Sequence, residues 1–248
     1  MPVVTIDAKG VYYRYLNEMV RQALSDGAKE IHLKNVNGQY YIGAGLRGDA
    51  RIVIDGVPGQ DLGAFMDGPT IIVYGNGQDN IANTMNSGKI IVHGHAGDVL
   101  GYGMRGGELF VRGDVGYRVG IHMKGYQDQI PILIAGGKAG DFFGEYMAGG
   151  VLALLGLNQT GDKRPLVGDY LGTGMHGGTI YIRGEVERSR CGKEVGISII
   201  EPGDDPILKP LLEEFCHEFG FRVEEVTDRP FSKLVPVSSR PYGKLYTY

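Results

Sequence analysis

The stretch GDVLGYGMRGGELFVRG, residues 97–113, decides the fold of this chain, because its pattern recurs along the middle of the sequence. The first half reads Gly, three residues, Gly, two residues, Met, one residue and Gly, and the second half is a short apolar run that ends at another Gly. Five full copies and two weaker ones are centred on anchor residues Leu46, Met66, Met85, Met104, Met123, Met147 and Met175. Steps of 20, 19, 19, 19, 24 and 28 residues separate these anchors, which predicts a repeat architecture.

Each apolar run has the length and the β-branched composition of a strand, and a Gly closes it. The runs are Ile52–Ile54, Ile71–Val73, Ile90–Val92, Leu109–Val111, Ile132–Ile134, Val151–Leu155 and Ile180–Ile182. A unit of 19 residues is too short for a strand plus a crossover helix, and it must stack on its neighbours to bury its apolar side. We therefore predict an all-β dominated fold, a single-stranded parallel β-helix of about seven to eight coils, spaced about 4.8 Å apart.

The 42 glycines of this 248-residue chain follow from that geometry, because a coil turns sharply at each corner and Gly reaches positive φ at little steric cost. We expect the anchor methionines to stack inward, since Met fills irregular space. Four Gly-Asp pairs also recur, at Gly97–Asp98, Gly113–Asp114, Gly140–Asp141 and Gly168–Asp169. Asp side chains cap N–H groups in turns, so we interpret these pairs as turn residues rather than paired catalytic acids.

The two ends of the chain differ from its middle. Residues 11–26 carry apolar residues at helical spacing before Gly27, and Pro206–Phe219 is amphipathic and ends at Gly220. We predict that these helices cap the exposed edges of the β-helix. The predicted organisation is an N-terminal helical cap (residues 1–28), the β-helix (29–200), and a C-terminal helix with an extended tail (201–248).

Composition excludes several classes of function. The net charge is −4 without a basic stripe, so we expect no nucleic-acid partner. The chain lacks an apolar run of 18 residues and a signal-peptide pattern at Met1–Asp7, which predicts a cytoplasmic protein without a membrane span. Its two cysteines, Cys191 and Cys216, lie in different segments, and we expect both to be reduced thiols.

The sequence offers no self-contained catalytic centre. Three segments match GxGxxG, at Gly43–Gly48, Gly101–Gly106 and Gly172–Gly177, but strand-like residues follow them where a dinucleotide site needs a helix. His93 and His95 form the one close histidine pair, and no carboxylate or cysteine stands nearby to complete a metal site. We therefore predict no catalytic, cofactor-binding or metal-binding residue in this chain.

The repeat, over residues 29–200, resembles the GXGXG domain at the C-terminal end of the glutamate synthase large subunit. It is most similar to the stand-alone, archaeal-type version, and the same repeat occurs in one of the subunits of formylmethanofuran dehydrogenase. The resemblance implies a right-handed β-helix and a non-catalytic scaffold role. In the split enzyme, a glutamine amidotransferase subunit supplies ammonia to a synthase subunit with FMN and an iron–sulfur cluster. Pro2 replaces the N-terminal cysteine nucleophile of the amidotransferase.

The resemblance therefore predicts a glutamate synthase subunit without an active site or cofactor of its own. We expect partners to dock at the insertions Tyr126–Pro131 and Leu157–Leu166 and at the tail, Pro230–Tyr248. The alternatives are the repeat-bearing, non-catalytic subunit of a molybdenum- or tungsten-dependent formylmethanofuran dehydrogenase, and a free-standing β-helix enzyme acting on carbohydrate or acyl-carrier substrates. A homo-oligomeric binding module is a further alternative.

Overall fold

The computed structural model describes residues 3–157 and 164–237. Its helices are α1 (Tyr13–Ser25), α2 (Leu208–Phe219) and α3 (Val223–Val226), with a 3-10 turn at Arg188–Arg190. Its strands are β1 (Val3–Asp7), β2 (Glu30–Asn37), β3 (Arg51–Val57), β4 (Asp67–Tyr74), β5 (Ser87–Val92), β6 (Glu108–Val111), β7 (Ile132–Ala135), β8 (Ala148–Leu154), β9 (Gly177–Arg183), β10 (Val195–Ile200) and β11 (Phe231–Pro236).

The described strands form one 11-stranded sheet in the order β1-β2-β3-β4-β5-β6-β7-β8-β9-β11-β10. Strands β1 to β9 each pair in parallel with the next, and the repeat period sets the register, so that Ile71 lies beside Ile90 and Ile90 beside Leu109. The fold is a parallel β-solenoid of about six turns, which confirms the predicted architecture. The number of turns is slightly lower than the predicted seven to eight. The last two strands of the sheet, β11 and β10, pair antiparallel.

The interior of the solenoid is filled by the anchor side chains. The six anchor methionines are fully buried and join the inward residues of the strands in one core. At the N-terminal end, α1 buries Leu16 and Val20 in the same core. Its polar side chains reach the first turn, where Asn17 donates to the Tyr40 carbonyl at 2.9 Å and Arg21 to the Ala44 carbonyl at 2.6 Å.

The C-terminal helix takes a different place from the one predicted. Helix α2 does not cap an end; it covers the outer face of the sheet, where Phe215 packs against Phe110 with ring centroids 5.9 Å apart. The outward residues of the strands form this second core with α2: Ile72, Ile91, Phe110, Ile134, Ala153 and Tyr181. Strands buried on both faces contain consecutive apolar residues, which explains the uninterrupted β-branched runs.

Both terminal segments contribute strands that the sequence did not predict. Strand β1, inside the predicted helical cap, pairs in parallel with β2, and β11, inside the predicted extended tail, lies between β9 and β10. The insertion at Tyr126–Pro131 is a loop closed by a bridge between Tyr126 and Gln129. Most of the second insertion and the last eleven residues, 238–248, lie outside the described residues.

Candidate functional site

One side of every repeat is a turn segment with three left-handed residues, located five, three and one positions before the anchor. Before Met147, for example, Phe142, Gly144 and Tyr146 have φ values of 63°, 73° and 51°. Glycine adopts this conformation readily, but most other residues are strained in it. The left-handed residues of the repeats that are not glycine are Tyr41, Asp61, Phe65, Asn80, Ala82, Thr84, Val99, Arg118, His122, Phe142, Tyr146 and Tyr170.

Hydrogen bonds between turns hold these residues in place. The Val99 and Gly103 N–H groups donate to carbonyls of the next turn, at 2.8 and 2.9 Å, while the Gly101 N–H donates back to Ile81 at 2.8 Å. The same alternation recurs in full in the turns before Met66, Met85, Met123 and Met147. Left-handed backbone costs about 1–2 kcal/mol per residue, and a surrounding structure must over-determine it. The result is a rigid backbone ridge, and of its non-glycine left-handed residues only Ala82 belongs to the core.

Aromatic side chains follow this ridge along the solenoid. Phe142 and Tyr170 stack 4.8 Å apart and nearly parallel, and His122 stacks on Tyr146 at 5.4 Å. The Arg118 guanidinium lies 4.4 Å from the Phe142 ring centroid and pairs with Glu145. We name the following residues the aromatic ridge: Tyr40, Tyr41, Phe65, Tyr102, Tyr117, His122, Phe142, Tyr146 and Tyr170. Several are well exposed, with 57% of Phe65 and 56% of Tyr170 accessible to solvent.

A second aromatic cluster extends the ridge onto α1. Tyr13 lies 5.7 Å from Tyr40 and 5.9 Å from Tyr41, measured between ring centroids, and it contacts Tyr12 at 4.6 Å. Tyr12 and Tyr15 also lie in edge contact and are exposed. Large rings that are held rigid and left exposed are the residue type that dominates binding energy at protein interfaces.

Polar side chains form a ladder beside the ridge. Asp79 accepts a hydrogen bond from the Asp98 N–H at 2.8 Å, and Asp98 accepts one from the Tyr117 N–H at 2.9 Å. Asp114 and Asp141 cap backbone groups of the following turn in the same way. The predicted capping role is confirmed for Asp98, Asp114 and Asp141, and each cap reaches across to the next turn. Asp169 instead accepts a hydrogen bond from the Arg190 guanidinium at 2.8 Å. A methyl group at Gly97 or Gly168 would collide with the carboxylate of Asp79 or Asp141 in the turn before, whereas Gly113 and Gly140 lie against His95 and Tyr117.

The two histidines of the candidate pair, His93 and His95, have different structural roles. His93 stacks on Tyr74 at 4.7 Å and contacts the Phe219 ring edge at 5.2 Å, and burial together with Arg112 lowers its pKa. His95 belongs to the polar ladder, where its Nδ1 accepts from the Asp114 N–H at 2.9 Å. Within residues 3–157 and 164–237, three or more His, Cys, Asp or Glu side chains nowhere come together as a metal site.

The remaining motifs are structural as well. The three GxGxxG segments lie in turns of the ridge; the last of them runs directly into β9. Cys191 and Cys216 are free thiols, and burial raises the pKa of both, that of Cys216 to about 11. No helix in the described part of the chain has the length and apolarity to cross a membrane.

Comparison with known proteins places the fold in a family. The model of the family described as GXGXG motif matches residues 23–237. The chain belongs to this family. The match extends beyond the predicted repeat region and includes α2 and β11, so the unit that defines the family covers the outer helix and the antiparallel end. The "Uncharacterized protein MJ1350" of Methanocaldococcus jannaschii is 48% identical over 254 residues, covering 100% of this chain and 97% of that protein.

The aromatic ridge was not predicted from the sequence. The residue five positions before each anchor is never glycine, so composition did not reveal its left-handed backbone. A usable signal lay three positions before the anchor, where six of the seven repeats carry Gly and the seventh carries Ala82.

Proposed function

We propose that this chain is the non-catalytic scaffold subunit of a split glutamate synthase. In this role it holds a glutamine amidotransferase subunit and a synthase subunit with FMN and an iron–sulfur cluster in fixed relative positions. The observation that carries the proposal is the aromatic ridge, an exposed binding surface on a rigid backbone. Membership of the GXGXG family supports it, since the same repeat forms a domain of glutamate synthase.

The distribution of side chains along the ridge fits two partners. An N-terminal aromatic patch consists of Tyr12, Tyr13, Tyr15, Tyr40 and Tyr41, and a C-terminal patch of Tyr117, His122, Phe142, Tyr146 and Tyr170. Between them, the turn before Met85 presents small polar residues, Asn80, Asn83 and Thr84. Aromatic residues are enriched at interface hot spots, so each patch offers one docking surface.

Rigidity between the two patches serves the transfer of ammonia between subunits. Hydrogen bonds join every turn to the next along both the strands and the ridge. A solenoid of this kind transmits little deformation between repeats, because each unit is fixed by its neighbours. Partners bound at the two patches therefore keep a constant separation, which a shared path for ammonia requires.

The first test is capture of the tagged full-length protein from its native extract, with mass spectrometry and flavin absorbance of the recovered proteins. We expect an amidotransferase and an FMN/iron–sulfur protein. Recovery of pterin-containing subunits would instead support an assembly of the formylmethanofuran dehydrogenase type. Recovery of neither would contradict the scaffold function.

Two ridge variants assign the partners to the patches. Phe142→Asn with Tyr170→Asn removes the C-terminal stack, and Asn tolerates the left-handed backbone at both positions. We expect one partner to be lost and the other retained. Tyr74→Ser is the matched control, because Tyr74 is an exposed aromatic residue at the end of β4 that stacks on His93, away from the ridge.

The proposed docking role of the tail must be tested with a shorter deletion than Pro230–Tyr248. Deletion of Pro230–Tyr248 would remove β11, which pairs with both β9 and β10. A chain that ends at Val237 keeps this strand. Loss of a partner from that shorter chain, with thermal unfolding unchanged, would assign the docking role to residues 238–248.

A further inference from the structure

Among the described residues, strand β10 is an edge of the sheet, and apart from the Arg188 guanidinium on the Val195 carbonyl it lacks the usual protection. Its sequence, Val-Gly-Ile-Ser-Ile-Ile, contains no charge and no proline, and Ile199 is 53% exposed. Natural proteins protect edge strands with charges, proline or a covering element, because an open edge pairs with other strands. The opposite edge strand, β1, ends at Asp7. Strand β10, unlike β1, therefore has no charged residue of its own at the edge.

The backbone of β10 offers donors and acceptors at this edge. The Val237 N–H donates to the Glu194 carbonyl at 2.7 Å, and ladder bonds of antiparallel strands alternate along the chain. The backbone groups of Val195, Ile197 and Ile199 therefore point away from β11. Arg188 donates to the Val195 carbonyl at 2.6 Å from that side. A carbonyl oxygen has two lone pairs, so it can accept a second hydrogen bond.

The side chains of β10 continue the inner core to the end of the solenoid. Val195 is buried there, Ile197 packs against the core as a partly buried residue, and Ile199 is exposed beyond them. Repeat proteins need a polar cap at each end of the stack. Helix α1 covers the N-terminal end, but α2 is used on the outer face of the sheet, and no other helix of the described residues joins the inner core at β10.

We propose that β10 pairs antiparallel with β10 of a second copy of this chain, forming a two-fold symmetric dimer. Centring the pair on Ile197 places Lys193 of each copy opposite Glu201 of the other, and both side chains are exposed. Centring the pair on the neighbouring Gly196 or Ser198 would instead oppose Lys193 to Ile199 or to Gly203, and the favourable charge pair would be lost. Such an interface is isologous, so the favourable pair occurs twice.

Charge exchange tests both the interface and its register. Sedimentation equilibrium of the full-length protein over a range of concentrations should show a dimer. Lys193→Glu and Glu201→Lys should each weaken the dimer by roughly tenfold or more. The double variant, which restores opposite charges, should recover the dimer. A monomer at all concentrations, single variants that dimerise like the natural chain, or a double variant that stays dissociated would each overturn the proposal.

Two further variants distinguish dimerisation through the β10 edge from association through other surfaces. Ile199→Lys places a charge among the apolar side chains of the β10–β10 interface and should abolish the dimer. Lys209→Glu reverses a charge at an exposed position of α2 and should leave the dimer intact. Circular dichroism checks that both variants are folded. Equal effects of the two variants would overturn the proposal. So would a chain ending at Val237 that dimerises while the full chain does not, because residues 238–248 would then cover the edge.

Discussion

The strand side and the ridge side of each repeat reach the same inter-turn spacing by different means. On the strand side, apolar residues such as Phe110 and Ile134 are buried between the solenoid and α2. On the ridge side, Phe65 and Tyr170 are exposed, and hydrogen bonds between left-handed backbone segments hold the turns together. Backbone hydrogen bonds join the turns on both sides, and side-chain burial adds stability on the strand side. Ridge side chains are thus available for binding.

Replacing Phe215 in α2 with a small residue should have the largest effect on the free energy of unfolding. Phe215 is fully buried and contacts Phe110, Phe219 and Phe221. Phe215→Ala should lower the free energy of unfolding by about 3–5 kcal/mol, because it removes transfer energy and leaves a cavity. The ridge control Phe65→Asn should change it by less than about 0.5 kcal/mol. Urea unfolding followed by circular dichroism measures both, and similar losses would contradict the division of roles.

A smaller loss of stability is expected from a substitution at a glycine that contacts the polar ladder. A methyl group at Gly116 would collide with the Asp98 carboxylate, so Gly116→Ala should cost about 1–3 kcal/mol of stability. Gly203→Ala is the control, because a methyl group there meets nothing within 4 Å and Gly203 does not have positive φ.

The double variant Gly116→Ala with Asp98→Ala identifies the cause of that loss. Removing the carboxylate removes the closest collision and leaves contacts of 2.9 Å with the Gly97 backbone, so the double variant should lose less stability than the sum of the two single losses. Strict additivity, measured by the same urea unfolding, would show that the Gly97 backbone, rather than the Asp98 carboxylate, sets the cost at Gly116.

Much of the solenoid could be predicted from the sequence, because the spacing of the Met anchors equals the register of the sheet. The runs around Ile72 and Ile91 predicted strands, and their lack of alternation was consistent with burial on both faces. The sequence could not predict that α2 covers the outer face of the sheet. Helix α2 is distant in sequence from most of the strands, and its apolar side would fit an end cap equally well. The antiparallel β11 was missed because the three prolines in and around it indicated an extended tail.

There is a physical reason why the sequence did not predict the ridge. Left-handed backbone at Tyr41 or Val99 contradicts local preference, and only hydrogen bonds from neighbouring turns maintain it. The candidate binding surface therefore emerged only with the three-dimensional arrangement. The absence of catalytic, cofactor and metal residues remains a prediction from the sequence.

Val99 provides a test of strain on the ridge. Its φ of 61° is unfavourable for a β-branched residue, so Val99→Gly should raise the free energy of unfolding by about 1 kcal/mol, the strain relief exceeding the entropic cost of glycine. Val235→Gly in strand β11 lacks that relief and should lower stability by a similar amount. Thermal unfolding of both variants checks the opposite signs. A loss at Val99 would mean that its side-chain packing outweighs the strain.

The smallest effect concerns the ion cluster that attaches α2 to the sheet. Lys89 Nζ lies 2.5 Å from Glu214, 3.0 Å from Glu218 and 3.3 Å from Glu108. Burial lowers the pKa of Lys89, but the hydrogen bonds to Glu214 and Glu218 outweigh it, so the pKa is raised. A raised folded-state pKa stabilises the protein fully below the unfolded value of about 10.4, and this contribution is lost as the pH rises through the folded-state pKa.

The cluster should therefore make stability fall in the alkaline range. As the pH rises above about 10.4, the natural chain should lose more stability than Lys89→Met, by up to about 1 kcal/mol, because the cluster is partly exposed and solvent screens it. Comparing urea midpoints of the two proteins at several pH values isolates Lys89 from the other titrating groups. Parallel pH profiles would mean that the apolar contacts of Phe215, rather than this cluster, account for the attachment of α2.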